Sequence, residues 1–256
     1  MRCILVMQAE GDTFVAKKVV QPSGGLDART LARRRKQYAR IAELLEDTYG
    51  YPEWRPSLPP VDELVSTILS QNTNDGNRDK AFDALKECFP TWEAVRDAPV
   101  EEIVTAIRSA GLANQKGPRI QAALRHITQT QGEISLDFLA DMEVEEAKAW
   151  LTQIDGVGPK TAAIILLFSF DRPAFPVDTH ILRVTKRLGL IDPNTNAERA
   201  HQELEAIISP DQYFSAHLNI IRLGREICHA RRPHCEECPL TAYCEYYQTR
   251  QPRESL

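Results

Sequence analysis

The chain has 256 residues, of which 43% are hydrophobic and 26% charged, and its formal net charge is −5. This composition fits one large or two modest globular domains with apolar cores. The negative balance excludes a protein that is basic overall, so any DNA-binding surface must be a local basic patch. No apolar run reaches the roughly eighteen residues of a transmembrane helix, so no membrane partner is expected.

The predicted elements begin with an irregular segment, residues 1–26, in which residues 1–6 and 13–20 alternate weakly and could pair as a short hairpin. From Leu26 onward the apolar periodicity is helical almost throughout, and Asp27 and Asp75 are predicted to cap two of the helices. No strand-rich region or solenoid repeat occurs, so the predicted fold class is all-α. The predicted helices span residues 27–49, 61–70, 75–88, 100–109, 115–131, 143–153, 159–170, 177–188, 197–207 and 212–228.

Two stretches of the chain are locally basic and are the candidates for a DNA surface. A solvated helix face is the alternative interpretation, and for the first stretch the two are evenly balanced. The first comprises Arg29, Arg33, Arg34, Arg35, Lys36 and Arg40, and the second comprises Arg222, Arg225, Arg231 and Arg232.

Four cysteines near the end of the chain form a compact set, Cys228, Cys235, Cys238 and Cys244, spaced Cys-x6-Cys-x2-Cys-x5-Cys. The apolar run at residues 1–8 is too short for a secretory signal, so a cytoplasmic location is expected, where thiols stay reduced unless a metal binds them. The set therefore favours a metal centre, either tetrahedral zinc or an iron–sulfur cluster. Only one Cys-x2-Cys pair typical of zinc is present, so the spacing favours the cluster. The remaining cysteines, Cys3 and Cys88, are expected to be ordinary thiols.

A glycine-containing turn, Gly156-Val157-Gly158-Pro159-Lys160-Thr161, lies between two predicted helices. The glycines allow positive φ and a close approach of the backbone, and proline fits the first helical turn. The free N–H groups of the turn and of the helix N-terminus then form an anion site suited to one DNA phosphate, without reading sequence. A simple helix–turn–helix connection is the alternative.

Lys160 and Asp178 are the candidate catalytic pair. A lysine must lose its proton before it can attack carbon, and both the positive end of the helix dipole and partial burial disfavour the protonated amine. Asp178, in Val177-Asp178-Thr179-His180, could accept that proton or stabilise positive charge on a sugar ring. The alternatives are a surface ion pair for Lys160 and a helix cap for Asp178, and Asp178 can fill both roles.

These three elements together resemble the endonuclease III family of the helix-hairpin-helix (HhH-GPD) DNA glycosylase superfamily, over roughly residues 30–247. The resemblance implies a six-helix barrel domain at residues 62–172 and an iron–sulfur cluster domain formed by residues 27–61 and 173–250, with a DNA cleft between them. Residues 1–26 would be an extension. The implied location is nucleoid-associated, and the implied partner is damaged double-stranded DNA bound by a monomer.

The resemblance also implies roles for individual residues. Lys160 would be the Schiff-base nucleophile, Asp178 the essential carboxylate, and the four cysteines the ligands of a [4Fe-4S] cluster. A lysine at position 160 is typical of bifunctional glycosylase/AP lyase relatives. The further DNA contacts implied are Gln71, Asn72, Leu112, Gly156, Val157, Gly158, Thr161, His180, Arg231 and Arg232.

Two of these contacts concern the base stack. Gln71 or Asn72 would fill the gap left by a flipped nucleotide, and Leu112 would be an apolar wedge; the alternative for Leu112 is a capping contact after Gly111. The chain departs from the family at Asn72, where glutamine is frequent, at Asp155 and at Pro159, which stands where a basic residue is common. Residues 174–178 and 132–136 also resemble plant 5-methylcytosine glycosylases of the same superfamily.

The expected function is excision of an oxidised pyrimidine by glycosylase and AP lyase chemistry. The alternatives are the same chemistry on 8-oxoguanine, uracil or 5-methylcytosine, and a non-catalytic DNA-binding module with a structural cluster. An electron-transfer protein is a third class, but it would not need the pairing of Lys160 with Asp178.

Overall fold

The computed structural model describes residues 26–250, and every regular element within that range is helical, which confirms the predicted all-α class. The short hairpin predicted within residues 1–20 lies outside the described residues. Short 3-10 turns lie at Arg108–Ala110, Asp137–Ala140, Pro210–Gln212, Cys235–Glu237 and Thr241–Tyr243. The helices are α1 Ala28–Tyr49, α2 Pro60–Ser70, α3 Asp75–Cys88, α4 Trp92–Asp97, α5 Val100–Ala106, α6 Ala113–Gln131, α7 Val144–Leu151, α8 Pro159–Phe170, α9 Thr179–Leu188, α10 Ala197–Ile207, α11 Tyr213–Glu226 and α12 Glu245–Gln248.

The observed helix ends agree with some of the predicted caps and boundaries and differ from others. Asp27 caps α1 as predicted, accepting a hydrogen bond from the backbone N–H of Thr30. The prediction for Asp75 was wrong, because Asn74 accepts the capping bond from Asn77 at 2.9 Å and Asp75 is the first helical residue. The helix predicted for residues 100–109 ends at Ala106, and a 3-10 turn then leads to Gly111, whose φ is +66°.

One apolar core is formed by α2 to α8 and contains the fully buried Leu64, Ile68, Ile120, Leu124 and Ile165. One face of α3 and one face of α6 point into this core, because apolar residues at helical spacing line one side of each helix. α8 is apolar on nearly all sides, and it packs closely against α2. The packing of α8 against α2 therefore fixes the position of the turn between α7 and α8.

A second apolar core joins α1 to α9, α10 and α11, so that the start and the end of the described chain meet. Ile41 and Leu45 of α1 are buried there against residues such as Ile181, Leu204 and Ile220. The existence of two cores favours the division into a barrel domain, residues 62–172, and a second domain, residues 27–61 and 173–250, which stays a prediction.

The first basic stretch lies on α1 and largely contacts the protein itself. Arg34 is buried against Glu203 at 3.4 Å, Arg35 donates to the carbonyl of Ala206 at 2.8 Å, and Arg33 lies 3.9 Å from Glu245. These contacts dock α1 onto α10 and α12, which favours a structural interpretation of this stretch over a DNA surface.

Polar contacts also join the two cores. Lys148 of α7 pairs with Glu205 of α10 at 2.8 Å, and Arg225 of α11 pairs with Asp75 of α3 at 2.8 Å. In addition, the indole N–H of Trp54, in the segment before α2, donates to the carbonyl of Leu167 in α8 at 2.7 Å, so this segment is fixed to α8. Among the helices of residues 26–250, none is both long enough and apolar enough to cross a membrane.

Candidate active site and cluster loop

The turn between α7 and α8 has the geometry expected of a hairpin that presents backbone amides. Gly156 has a φ of +80°, Val157 is buried, and its N–H donates to the carbonyl of Ile154 at 3.0 Å. Ala162 makes the first helical bond back to the carbonyl of Gly158 at 3.0 Å. The amides of Gly158, Lys160 and Thr161 precede that bond, so they are open to an anion.

The side chain of Thr161 is buried rather than on the surface. Of the predicted DNA contacts in this turn, Thr161 can therefore offer only its backbone N–H, and Val157 serves to anchor the turn. Gly158 is exposed, and its place as the residue before α8 lets the backbone approach a ligand closely.

Arg119 of α6 lies against this turn, and sequence reasoning missed it. A Cβ added at Gly156 would lie 2.9 Å from Cδ and 3.4 Å from Nε of Arg119, so the side chain crosses the turn where glycine leaves room. Within residues 26–250 its guanidinium makes no hydrogen bond or ion pair. It therefore puts an unpaired positive charge beside the open amides. No local signal marks it, because Arg119 and Gly156 are far apart in sequence.

Lys160 is half-buried in the first turn of α8, as predicted. The surface ion pair weighed as its alternative role is absent, since no carboxylate in the described part of the chain pairs with its amine. An amine that is partly withdrawn from water and unpaired can reach a bound ligand without breaking an existing salt bridge.

Asp178 caps α9, with Oδ1 accepting a hydrogen bond of 2.7 Å from the N–H of Ile181. The capping role weighed for this residue is therefore real. Only one oxygen is used in that bond, so the second oxygen of the half-buried carboxylate keeps its lone pairs for another partner. The cap fixes the direction in which that oxygen points.

His217 of α11 links the environments of Lys160 and Asp178. Burial lowers the pKa of His217 to about 4. The charge of Asp178 and a hydrogen bond with the carbonyl of Pro176 at 3.1 Å raise this pKa, and the charge of Lys160 lowers it. One buried imidazole thus experiences both charges. That Lys160 and Asp178 act as one catalytic pair stays a prediction.

The loops that follow α2 and precede α6 expose two of the predicted stack-contacting residues. Asn72 is exposed with a φ of +53°, and Leu112 is 48% exposed with a φ of +50°. Gln71 is half-buried instead, and its amide donates to the carbonyl of Gly156 at 3.0 Å. Gln71 thus joins this loop to the hairpin, whereas the side chain of Asn72 is exposed.

Cys228, Cys235, Cys238 and Cys244 line one pocket in the C-terminal segment, and all four are free thiols. Burial raises the pKa of the Cys238 thiol to about 11 and raises that of Cys244, so metal binding must displace these protons. Arg187 of α9 donates to the Cys228 sulfur at 3.2 Å. The pocket therefore supplies four sulfur donors, which would bind a metal centre as thiolates, and a cation beside them.

The arrangement of these sulfurs bears on which metal centre they fit. Four thiolates on a single zinc ion would each lie about 2.3 Å from one point. A cubane offers each thiolate its own iron. Four cysteine sulfurs lining one pocket are the donor set that an iron–sulfur cluster requires.

Two further predicted contacts lie on the surface beside the cluster pocket. Arg231 and Arg232 are exposed in the loop between Cys228 and Cys235, and Arg232 has a φ of +52°. His180 is half-buried, and its Nδ1 lies 3.0 Å from Nη2 of Arg183. The two arginines are free to reach a phosphate, whereas His180 is oriented by a neighbour on α9.

Comparison with known proteins matches residues 65–210 to the HhH-GPD superfamily base excision DNA repair protein and residues 228–244 to the iron-sulfur binding domain of endonuclease III. Endonuclease III of Thermotoga maritima is 33% identical over 200 residues, which cover 78% of this chain and 89% of that protein. A structure of a non-covalent endonuclease III–DNA complex superposes with a TM-score of 0.72 at 28% identity, covering 84% of this chain and 97% of that one. A structure of a trapped endonuclease III–DNA covalent intermediate has a TM-score of 0.72 at 27% identity, covering 85% of this chain and 99% of that one.

Proposed function

Because this chain belongs to the HhH-GPD superfamily of base excision DNA repair proteins, we propose that Lys160 is the nucleophile of a bifunctional DNA glycosylase and AP lyase. The class of activity, a base excision repair glycosylase/lyase that binds DNA, follows from its endonuclease III relatives. The protein carries a [4Fe-4S] cluster, and we assign its ligands as Cys228, Cys235, Cys238 and Cys244.

One observation carries the assignment of the nucleophile. Among the lysines of residues 26–250, Lys160 lies in the first turn after the hairpin, makes no ion pair, and acts together with Asp178 on the pKa of the buried His217. The hairpin amides hold a phosphate beside it, so a nucleotide turned out of the duplex would present its sugar to this amine.

In the first step the unprotonated Nζ of Lys160 attacks C1′ of the flipped nucleotide. The bond from C1′ to the base breaks, and the base leaves with the electron pair and gains a proton. Asp178 either accepts the proton that Lys160 loses or stabilises positive charge developing on the sugar. Either role needs a charged carboxylate within reach of the same sugar.

In the second step the amine on C1′ and the opened sugar form an iminium. This group withdraws electrons, so a proton is lost from C2′ and the phosphate bonded to C3′ leaves. The strand is nicked 3′ to the lesion, and water then releases Lys160 from the sugar fragment. The cluster takes no part in these steps and supplies a rigid loop that carries Arg231 and Arg232 toward phosphates.

The substrate we propose is damaged double-stranded DNA bearing an oxidised pyrimidine, bound by a monomer. Damaged pairs stack poorly, which lowers the cost of extruding the nucleotide. Asn72 fills the vacated space and Leu112 enters the stack as a wedge. Arg231, Arg232, His180 and the turn at residues 156–161 contact the backbone. The nucleoid-associated location stays a prediction.

Covalent trapping tests the nucleophile. With sodium borohydride and a duplex containing a preformed AP site, the wild type should give an adduct that is absent for Lys160→Ala. Strand cleavage by Lys160→Ala should fall by about a thousandfold or more, while binding to the damaged duplex persists. Unchanged nicking by this variant would contradict the assignment of Lys160.

Two variants of Asp178 separate its charge from its cap. Asn caps a helix about as well as Asp, so Asp178→Asn should keep the fold and slow both steps by about a hundredfold or more. Asp178→Ala should lose about 1 kcal/mol of stability as well. Equal activity of Asp178→Asn and wild type would leave Asp178 with the cap alone.

A panel of duplexes tests the substrate. Excision of an oxidised pyrimidine should exceed that of 8-oxoguanine, uracil and 5-methylcytosine under single-turnover conditions. A preference for any of the other three would replace the proposed lesion and leave the chemistry of Lys160 in place.

A further inference from the structure

Lys116 of α6 is among the largest side chains in the described chain that are almost completely buried, with 1% of its surface exposed. Its Nζ donates two short hydrogen bonds, to the carbonyl of Leu69 at 2.7 Å and to the carbonyl of Ala110 at 2.8 Å. Burial lowers the pKa of Lys116. No carboxylate of residues 26–250 forms an ion pair with it, so the amine is stabilised by backbone oxygens alone.

The two carbonyls that Lys116 binds belong to the ends of two different elements. Leu69 lies in the last turn of α2, just before the loop that carries Asn72. Ala110 ends the 3-10 turn, just before Gly111 and Leu112. Carbonyls at a helix C-terminus lack helical partners and carry partial negative charge, so a buried amine is a strong partner for both.

The backbone of Lys116 also contacts the second loop. Its N–H donates to the carbonyl of Leu112 at 3.0 Å, which closes the first turn of α6. Lys116 therefore touches the residues on either side of Gly111 and, through Leu69, the base of the other loop. One buried residue fixes the distance between the two loops whose tips are Asn72 and Leu112.

This arrangement has a cost that packing alone does not explain. A buried amine loses its hydration, and an apolar side chain of similar length would fill the same space without that loss. What an apolar side chain cannot do is bond both carbonyls at once. The amine at this position therefore holds the two loops by its hydrogen bonds, and filling the core would not require it.

We propose that Lys116 is a positioning residue that holds the loops of Asn72 and Leu112 in register, so that both tips enter a DNA duplex together. The proposal rests on the proposed function, since it concerns the step in which the protein enters the base stack. Lys116 touches neither the DNA nor the reacting atoms. It acts through the two loops.

The test compares Lys116→Met with Gln121→Leu in the holoprotein. Gln121 lies on the same helix, is also buried, and donates its amide to the carbonyls of Val95 and Ala98, at 3.0 and 2.8 Å, away from both loops. Both variants remove a buried donor that bonds backbone carbonyls, so their losses of thermal stability should be similar. Only the first disturbs the loops.

The assay is single-turnover cleavage of a duplex with a preformed AP site, below the unfolding range of both variants. Displacement of the loops by about 1 Å should lower the rate for Lys116→Met by about a hundredfold, and Gln121→Leu should stay within about threefold of wild type. Equal rates for the two variants would overturn the proposal. If Lys116→Met does not yield folded holoprotein, Lys116→Gln, which keeps a donor with a shorter reach, is measured in its place and should also slow cleavage.

A double-mutant cycle with Leu112→Ala separates positioning from general destabilisation. If Lys116 acts by placing the wedge, its substitution should slow the Leu112→Ala protein much less than it slows the wild type. Fully additive losses would mean that Lys116 only stabilises the fold. Absence of any trapped adduct with the wild type would instead refute the proposed function, so the two failures are distinguishable.

Discussion

Acid should destabilise this protein partly through His217, and substitution of that residue should remove the effect. Its pKa is lowered from 6.5 to about 4 in the folded protein, mainly by burial. Between these values the unfolded chain binds a proton that the folded chain does not, so stability is complete above pH 6.5 and is lost as the pH falls toward 4. At about 1.4 kcal/mol for each pH unit, the whole interval corresponds to about 3 kcal/mol, and about 2 kcal/mol is lost by pH 5.

The assay is thermal unfolding of the holoprotein at pH 7.5 and pH 5, with cluster absorbance followed in parallel. The wild type and His217→Asn share the acid sensitivity of all other groups, so the difference between them isolates the imidazole. Asn retains a donor near the position of Nδ1, which bonds the carbonyl of Pro176. The fall in Tm from pH 7.5 to pH 5 should be smaller in His217→Asn by about 4–8 °C.

A control variant separates the charge of His217 from its packing. Phe168 lies 5.5 Å from the imidazole, centroid to centroid, in a T-shaped contact. Phe168→Leu should lower Tm by the same amount at both pH values, because it opens space beside His217 and leaves a titratable imidazole in place. If His217→Asn and wild type lost the same Tm on acidification, the inference that burial keeps His217 neutral would be refuted.

Three further predictions concern the hairpin and the cluster. Arg119→Gln should weaken binding to duplex DNA regardless of sequence, because it removes one cation beside the phosphate site. In a salt titration followed by fluorescence anisotropy, the slope of log K against log[salt] should fall by about 1. Gly156→Ala should cost about 1 kcal/mol of stability, measured by denaturant unfolding, because φ is +80° at this position. It should also weaken DNA binding in the same titration, because the new Cβ displaces Arg119. Cys235→Ser should lower the iron content and the affinity for DNA together, and a variant with full iron and unchanged affinity would exclude Cys235 as a ligand.

Local patterns in the sequence predicted the parts of this protein that are made from neighbouring residues. The turn at residues 156–161 and the helix that follows it are fixed by glycine, proline and apolar spacing, and α8 begins and ends at the predicted residues. The cap of α3 was misassigned because Asn74 and Asp75 are both good capping residues and stand side by side. α4 and α12 were missed because they are too short for a helical period to show.

Contacts between distant segments were not predictable in this way. Lys116 bonds a carbonyl 47 positions away, and the Gln71 amide bonds one 85 positions away. A buried lysine within a polar stretch such as Asn114-Gln115-Lys116 has the same local pattern as an exposed one. Arg119 and His217 lie in helices whose period predicts burial or exposure but not which neighbour they meet. The proposed catalytic residues could be named from sequence because their motifs are local, whereas Lys116 and Gln71 contact segments that are distant in sequence.

Residues with a strained backbone coincide with three of the proposed DNA contacts. Four residues other than glycine have positive φ within the described chain, and three of them, Asn72, Leu112 and Arg232, were named as DNA contacts from sequence. The left-handed conformation costs such residues on the order of 1 kcal/mol each, so it persists only where surrounding bonds impose it. For Asn72 and Leu112 the structure shows those bonds. Lys116 fixes the chain before each tip, and Gln71 anchors the residue next to Asn72. The strain is thus maintained at exposed tips, where it adds nothing to the core, and a side chain held outward in this way loses little further entropy when it enters DNA.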